Sequence, residues 1–137
     1  MFIKIMIDLQ IVTPEKMVVD LQADSVTVPT AKGEIGILPS HAPLISSLRA
    51  GVLSYKAGGS SEEMVVSGGF VEVSGNKVSI LADVAENKDE IDVESAKAEK
   101  KEAGKLLGSW KGTEEEFELE VERLEKAQAR LALASKN

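Results

Sequence analysis

The sequence contains no cysteine and, among 137 residues, one histidine, one tryptophan and one tyrosine. Without thiols there is no disulfide framework, no thiolate nucleophile and no cysteine-based metal site, a composition compatible with a reducing compartment. A lone histidine cannot build a zinc centre by itself, because zinc takes three or four ligands. Cations are in the minority: 16 Lys and Arg stand against 23 Asp and Glu, a formal net charge of −7. Nucleic acid is bound through clustered Lys and Arg that displace counterions, so this balance argues against it as a partner. An acidic surface is also poorly suited to anionic lipid. Long hydrophobic runs are missing as well. The N-terminal stretch MFIKIMIDLQIV is broken by Lys4 and Asp8 and reads as a strand, neither a signal peptide nor a spanning helix. Nothing in this pattern crosses a membrane unaided.

What is present falls into two kinds, divided near Asn87-Lys88. Residues 1–86 are punctuated by glycine and proline and rich in β-branched alternation, whereas residues 90–137 have no proline and are crowded with Glu, Lys and Ala. A chain of this length buries one real core. The expected organisation is an all-β sandwich or barrel over 1–87 and an antiparallel α-helical hairpin over 88–137.

Ile3, Ile5, Ile7, Leu9 and Ile11 alternate with Lys4, Asp8 and Gln10, the period of a half-buried strand. Further strands are predicted over 17–21, 25–28, 52–55, 64–66, 70–73 and 78–81. No helical periodicity separates them, which favours a sandwich or barrel over an α/β fold. The segment FVEVSGNKVSIL is the clearest hairpin, with Gly75-Asn76 supplying a two-residue turn at positive φ.

Residues 33–49, GEIGILPSHAPLISSLR, fit the strand pattern least well. Two glycines, two prolines and His41 sit among Ile35, Ile37, Leu38, Leu44 and Ile45, which predicts an ordered loop with apolar side chains. Such a loop is either tucked beneath a sheet or used to meet a partner. His41 lacks an identifiable acid–base partner and reads as a packing residue.

Thr113-Glu114-Glu115-Glu116 has the form of a capping box opening a helix, and three carboxylates suit the positive end of its dipole. Phe117, Val121, Leu124, Gln128 and Leu131 then form one narrow stripe. Upstream, Asp92 can cap a helix in which Val93, Ala96, Ala103 and Leu107 share a face, and Gly108 to Gly112 suits the reversal between the two. An isolated hairpin of this size is marginal, so it must lean on something else. On the second helix Arg123, Lys126 and Arg130 cluster beside a band of Glu118, Glu122 and Glu125. That row either solvates the helix or meets an acidic partner surface.

The order LQIVTPEKMVV, GEIGILPSHAPL, VVSGGFVEVSGNKVSILAD, IDVESA and a terminal helix ending AQARL resembles the epsilon subunit of bacterial F-type ATP synthase over nearly the whole chain. The resemblance implies a β-sandwich with a two-helix hairpin, a non-catalytic part of the central rotor stalk of a proton-translocating enzyme. It would sit peripherally on the cytoplasmic face of the bacterial plasma membrane, associated with the membrane only through the complex. The sandwich would bind the gamma subunit and the c-subunit ring, coupling rotation to ATP synthesis, with Glu34, Ile35, Ile37, Leu38, His41 and Leu44 in the contact region. The hairpin would inhibit ATP hydrolysis by extending toward the catalytic head, where Arg123, Lys126 and Arg130 would face the beta subunit, with alpha nearby. No cofactor is implied. ATP is the one candidate regulatory ligand: in subunits that bind it, the motif is Ile or Leu, Asp, two variable residues, Arg and Ala, helped by arginines of the second helix. Ile91, Asp92 and Ala96 match and Arg130 matches one helper, but Ser95 stands where Arg is expected and Lys126 replaces the other helper. Lys does not reproduce the guanidinium fork on a phosphate. The competing reading, drawn from the residues alone, is a free-standing adaptor whose helical tail recruits an unrelated partner. An enzyme built on His41 lacks convergent residues.

Overall fold

A computed structural model describes residues 4–136. Two five-stranded sheets stack on one another. The first contains β1 (Ile7–Val12), β2 (Met17–Ala23), β5 (Leu44–Ser47), β8 (Phe70–Ser74) and β9 (Lys77–Leu81), in the spatial order β2-β1-β9-β8-β5. The second contains β3 (Ser25–Thr30), β4 (Gly33–Ile37), β6 (Gly51–Ala57), β7 (Ser60–Ser67) and β10 (Val84–Asn87), in the order β10-β7-β6-β3-β4. Every pairing is antiparallel except β1 with β9.

Alternation dictates the core. Ile7, Leu9 and Ile11 of β1, Val71 and Val73 of β8, and Val78 and Ile80 of β9 turn inward to meet Val26, Val28, Leu53, Met64 and Val66 of the other sheet. The expected inward face of the first strand is thus confirmed from Ile7 on. Ile5 is exposed, and Ile3 lies outside the described residues.

The segment expected to be a loop over 33–49 is more ordered than that. It forms β4 and β5, the edge strands of the two sheets, and only residues 38–43 cross between them. Gly33 and Gly36 hide the alternation of β4 from a periodicity reading, and edge strands tolerate glycine where central ones do not. β10 is a further strand that the sequence did not announce.

At the β8–β9 turn only Gly75 takes a positive φ, 61°. Asn76 keeps a negative φ, so the backbone of the turn does not require its side chain.

The chain continues through a single 3-10 turn, Lys88–Glu90, into α1 (Val93–Gly108) and α2 (Glu114–Ala134). Asp92 accepts from the Ser95 amide, as its cap position predicts. Thr113 accepts from the Glu116 amide at 3.2 Å, but the second arm of the expected box is not made, because the Glu116 carboxylate lies over Gly112. A complete reciprocal box occurs instead at Asn87 and Glu90, each side chain accepting from the other's amide at 3.2 and 3.1 Å. Trp110 stacks edge-on against Phe117 with ring centroids 5.7 Å apart, closing the hairpin tip.

Candidate functional site: the seam between hairpin and sheet

The fold places the hairpin on the outer face of the second sheet, with α2 against β6 and β7. β7 records this in its own burial. Met64, Val65, Val66 and Ser67 are buried in succession, which a strand covered on one face cannot achieve, since neighbouring side chains point to opposite sides. Met64 and Val66 enter the sandwich core, while Val65 is buried from outside by Ala129 and Leu133, flanked by Val52 and Ile91.

The stripe expected on α2 is not the buried one. Phe117, Val121, Leu124 and Leu131 are half-buried and Gln128 is exposed, whereas Ala127, Ala129 and Leu133 are packed away. Ala127 and Ala129 stand about 200° apart around the helix, so α2 buries two flanks, one toward the sheet and one toward α1. Small residues win these positions because they let helix backbones approach closely. On α1 the same logic buries Ala96 and Ala103, as their shared face predicts, while Val93 remains exposed.

Charge rims this small apolar seam. Arg49, just after β5, forms a bidentate pair with Glu125 of α2, with Nε and Nη2 each 2.6 Å from a carboxylate oxygen. The carboxylate beside it raises the guanidinium pKa above its ordinary value. Arg130 Nε lies 2.8 Å from Glu86 Oε1 of β10, with Nη2 3.4 Å from the other oxygen. Lys136 Nζ lies 2.7 Å from Glu63 of β7. Arg130 and Glu86 are the most enclosed of these, at 11% and 19% side-chain exposure. A planar guanidinium matches a carboxylate in a way an ammonium does not.

Arg123 has a different task. It binds Glu99 and Glu102 of α1 and Glu120 of its own helix. The hydrogen bond from Arg123 is the leading cause that holds the Glu99 carboxyl below the usual carboxylate range. Arg123 therefore ties helix to helix, whereas Arg130 ties helix to sheet.

The other residues singled out by sequence are dispersed. Ile91 packs on the Val65 patch and Asp92 caps α1. Lys126 is half-buried. Of the 34–44 group, Ile37 is in the core, Ile35 and Leu44 lean on it, Glu34 is exposed and His41 Nδ1 sits 2.7 Å from the Ala42 carbonyl oxygen. Leu38 alone of that group is a large exposed apolar side chain, 63% accessible, and nearby Ile45 reaches 73%.

Sequence reasoning missed a second apolar surface. Phe70, Leu81 and Val12 stand side by side across β8, β9 and β1 on the outer face of the first sheet. Exposed Met17 lies opposite Val12 in the register. The signal was available: Phe70 and Leu81 occupy the outward phase of alternations whose inward phase is Val71 and Ile80.

Residues 6–88 match the family model described as ATP synthase, Delta/Epsilon chain, beta-sandwich domain. The chain belongs to that family. An ATP synthase epsilon chain of Desulforamulus reducens is 51% identical over 106 residues, 77% of this chain and 80% of that one. Another, from Geotalea uraniireducens, is 39% identical over 127 residues, 93% and 92% of the two chains. Among solved structures, a chain of the Euglena gracilis mitochondrial ATP synthase (OSCP/F1/c-ring) aligns with a TM-score of 0.80 at 26% identity, covering 96% of this chain and 82% of that one. A chain of the Tetrahymena thermophila mitochondrial ATP synthase central stalk and c-ring has a TM-score of 0.68 at 16% identity, covering 94% and 96%, and speaks to fold alone. Epsilon chains are non-catalytic accessory subunits of ATP synthase, and this chain is one of that kind. No described helix is long and apolar enough to cross a membrane.

Proposed function

We propose that this chain is a central-stalk rotor subunit of a proton-translocating ATP synthase, coupling rotation to ATP synthesis and restraining ATP hydrolysis through its C-terminal helices. Its place would be peripheral, on the cytoplasmic face of the bacterial plasma membrane. Residues 1–87 would serve as the body held by gamma and the c-subunit ring, and residues 88–137 as the regulatory arm. The observation that carries the reading is the division of faces. The hairpin covers the outer face of the second sheet, while Phe70, Leu81 and Met17 on the first sheet and Leu38 and Ile45 at the sandwich edge stay exposed.

The seam suits a two-state docking equilibrium. Its apolar centre is one valine with two hairpin side chains and two flanking residues, and a cleft of about 290 Å³ lies between residues 118–125 of α2 and Ala31, Leu48 and Ala50. In the docked state Arg130 is committed to Glu86 and Arg123 to α1. Meeting an acidic segment of the beta subunit would exchange Glu86 for a partner carboxylate, while Arg123 could travel with α1. ATP acting as a regulatory ligand through Ile91, Asp92, Lys126 and Arg130 would likewise compete with Glu86 for Arg130.

Deleting residues 88–137 tests the assignment. Gamma binding should survive and ATPase activity of the reconstituted enzyme should rise. Hydrolysis no faster than with the full chain would remove the inhibitory role, and loss of gamma binding would remove the coupling role of the sandwich.

A further inference from the structure

We infer that Asn76, at the tip of the β8–β9 hairpin, is a positioning residue that holds the loop 38–43 in its partner-ready shape. The inference rests on the reading of that loop as a subunit contact. Ser40 is the one non-glycine residue with positive φ among the described residues, at 65°. A side-chain-bearing residue in this region is strained and stays there only where its surroundings hold it. The restraint is visible: the Ser40 amide donates to Asn76 Oδ1 at 2.6 Å, across 36 positions of sequence. The Asn76 backbone carbonyl simultaneously accepts from the Asp8 amide at 2.7 Å. One residue therefore joins the crossing loop to the start of β1 and to the hairpin tip.

The loop has few other means of ordering itself. Pro39 and Pro43 contribute no amide hydrogens, and the segment lies between the edges of two different sheets, outside either ladder. Leu38 begins it and Ile45 of β5 stands just beyond its other end, the exposed apolar pair. Fixing Ser40 thus fixes the direction in which Leu38 leaves β4. The turn itself needs Gly75 at positive φ, not asparagine at 76, and Asn76 is exposed. What position 76 supplies is an acceptor.

The test compares full-length variants for binding to a reconstituted gamma–c-ring complex, for melting temperature and for exchange of the Ser40 amide. N76A should speed Ser40 exchange and weaken binding about tenfold by lowering the competent loop population, with the melting temperature nearly unchanged. N76D keeps the acceptor and should bind like the parent. Adding S40G to N76A should restore binding, because glycine takes the positive φ without help. If L38A with I45S weakens binding while N76A does not, the positioning role is wrong although the contact stands. If L38A with I45S has no effect, the contact reading falls and the role falls with it.

Discussion

Arg130 of the last helix and Glu86 of the last strand face one another across 44 residues of sequence, with Nε 2.8 Å from Oε1. The pair is the most enclosed charge contact on the seam, and it joins the two units of the chain directly. Removing either partner leaves the other partly desolvated with no counterion. E86A should loosen the docked hairpin by roughly 1.5–3 kcal/mol, the range for hydrogen bonds to charged groups. Hydrogen exchange of the α2 amides should report it, and the swap E86R with R130E should recover much of the protection. Unchanged exchange in E86A would mean that the apolar patch alone holds the helix.

Val65 offers a test of that patch. It is fully buried, yet from outside the sandwich core. V65D places a carboxylate beneath Ala129 and Leu133 with no partner, which costs at least about 2 kcal/mol in such surroundings. The expected result is a detached hairpin on an intact sandwich, seen as rapid proteolysis after residue 87 with the strand signals of the body retained. Collapse of the whole fold would instead place Val65 in the main core.

The hairpin's own stability should depend on acid. The Arg123 hydrogen bond depresses the Glu99 pKa in the folded state, so its contribution is fully present above the ordinary glutamate value of about 4.3 and disappears as pH falls through the depressed one. Helicity of α1 and α2 should therefore decline below about pH 4, and E99Q should flatten that decline. Glu102 and Glu120 also touch Arg123, so the guanidinium keeps carboxylate partners in E99Q. A decline identical in E99Q and the parent would assign the acid sensitivity elsewhere.

Gly69 should be the least replaceable glycine of the body. It has φ 89°, and a Cβ built there would fall on the Leu81 carbonyl oxygen. G69A should prevent the close passage of the chain beside β9 and cost more than the 1–3 kcal/mol expected from backbone strain alone. Gly58 also has positive φ, 57°, but its Cβ direction is open, so G58A should show only the strain component. Thermal melting of the two variants separates the effects.

Docking should weaken with salt. Arg49, Arg130 and Lys136 each cross the seam to a carboxylate, and the exposed pairs are screened first as the Debye length shrinks from about 10 Å at 0.1 M to 3 Å at 1 M. Exchange of α2 amides should quicken between those concentrations, while that of the β1 amides should not. Equal acceleration of both would indicate global loosening.

Most of the architecture was legible because it is written in periodicity. Ile7, Leu9 and Ile11 can serve only a half-buried strand, and Ala96 with Ala103 can serve only a close helix contact. Two things resisted. The edge strands β4 and β5 are short, and glycine interrupts β4, which erases alternation without erasing backbone pairing. The buried arc of α2 is set by where the sheet and α1 happen to stand, so Ala127 and Ala129 outrank the larger Phe117 and Val121 for reasons that no single-helix pattern contains. At the candidate site, Arg123 and Arg130 were legible as a row, but their division of labour was not, since it depends on which carboxylate the fold brings opposite each.

The parallel pairing of β1 with β9 has a consequence for the order of synthesis. β1 is the second strand of its sheet and lies between β2 and β9, so on one side it finds its neighbour at once and on the other it must wait until residue 81 has been made. Contacts so distant along the chain close slowly. The hairpin, by contrast, is local and emerges after both sheets. A nascent chain will therefore hold an unclosed β1 edge open until β9 has emerged, although β6 and β7, the strands on which its helices come to rest, are finished before that edge is sealed.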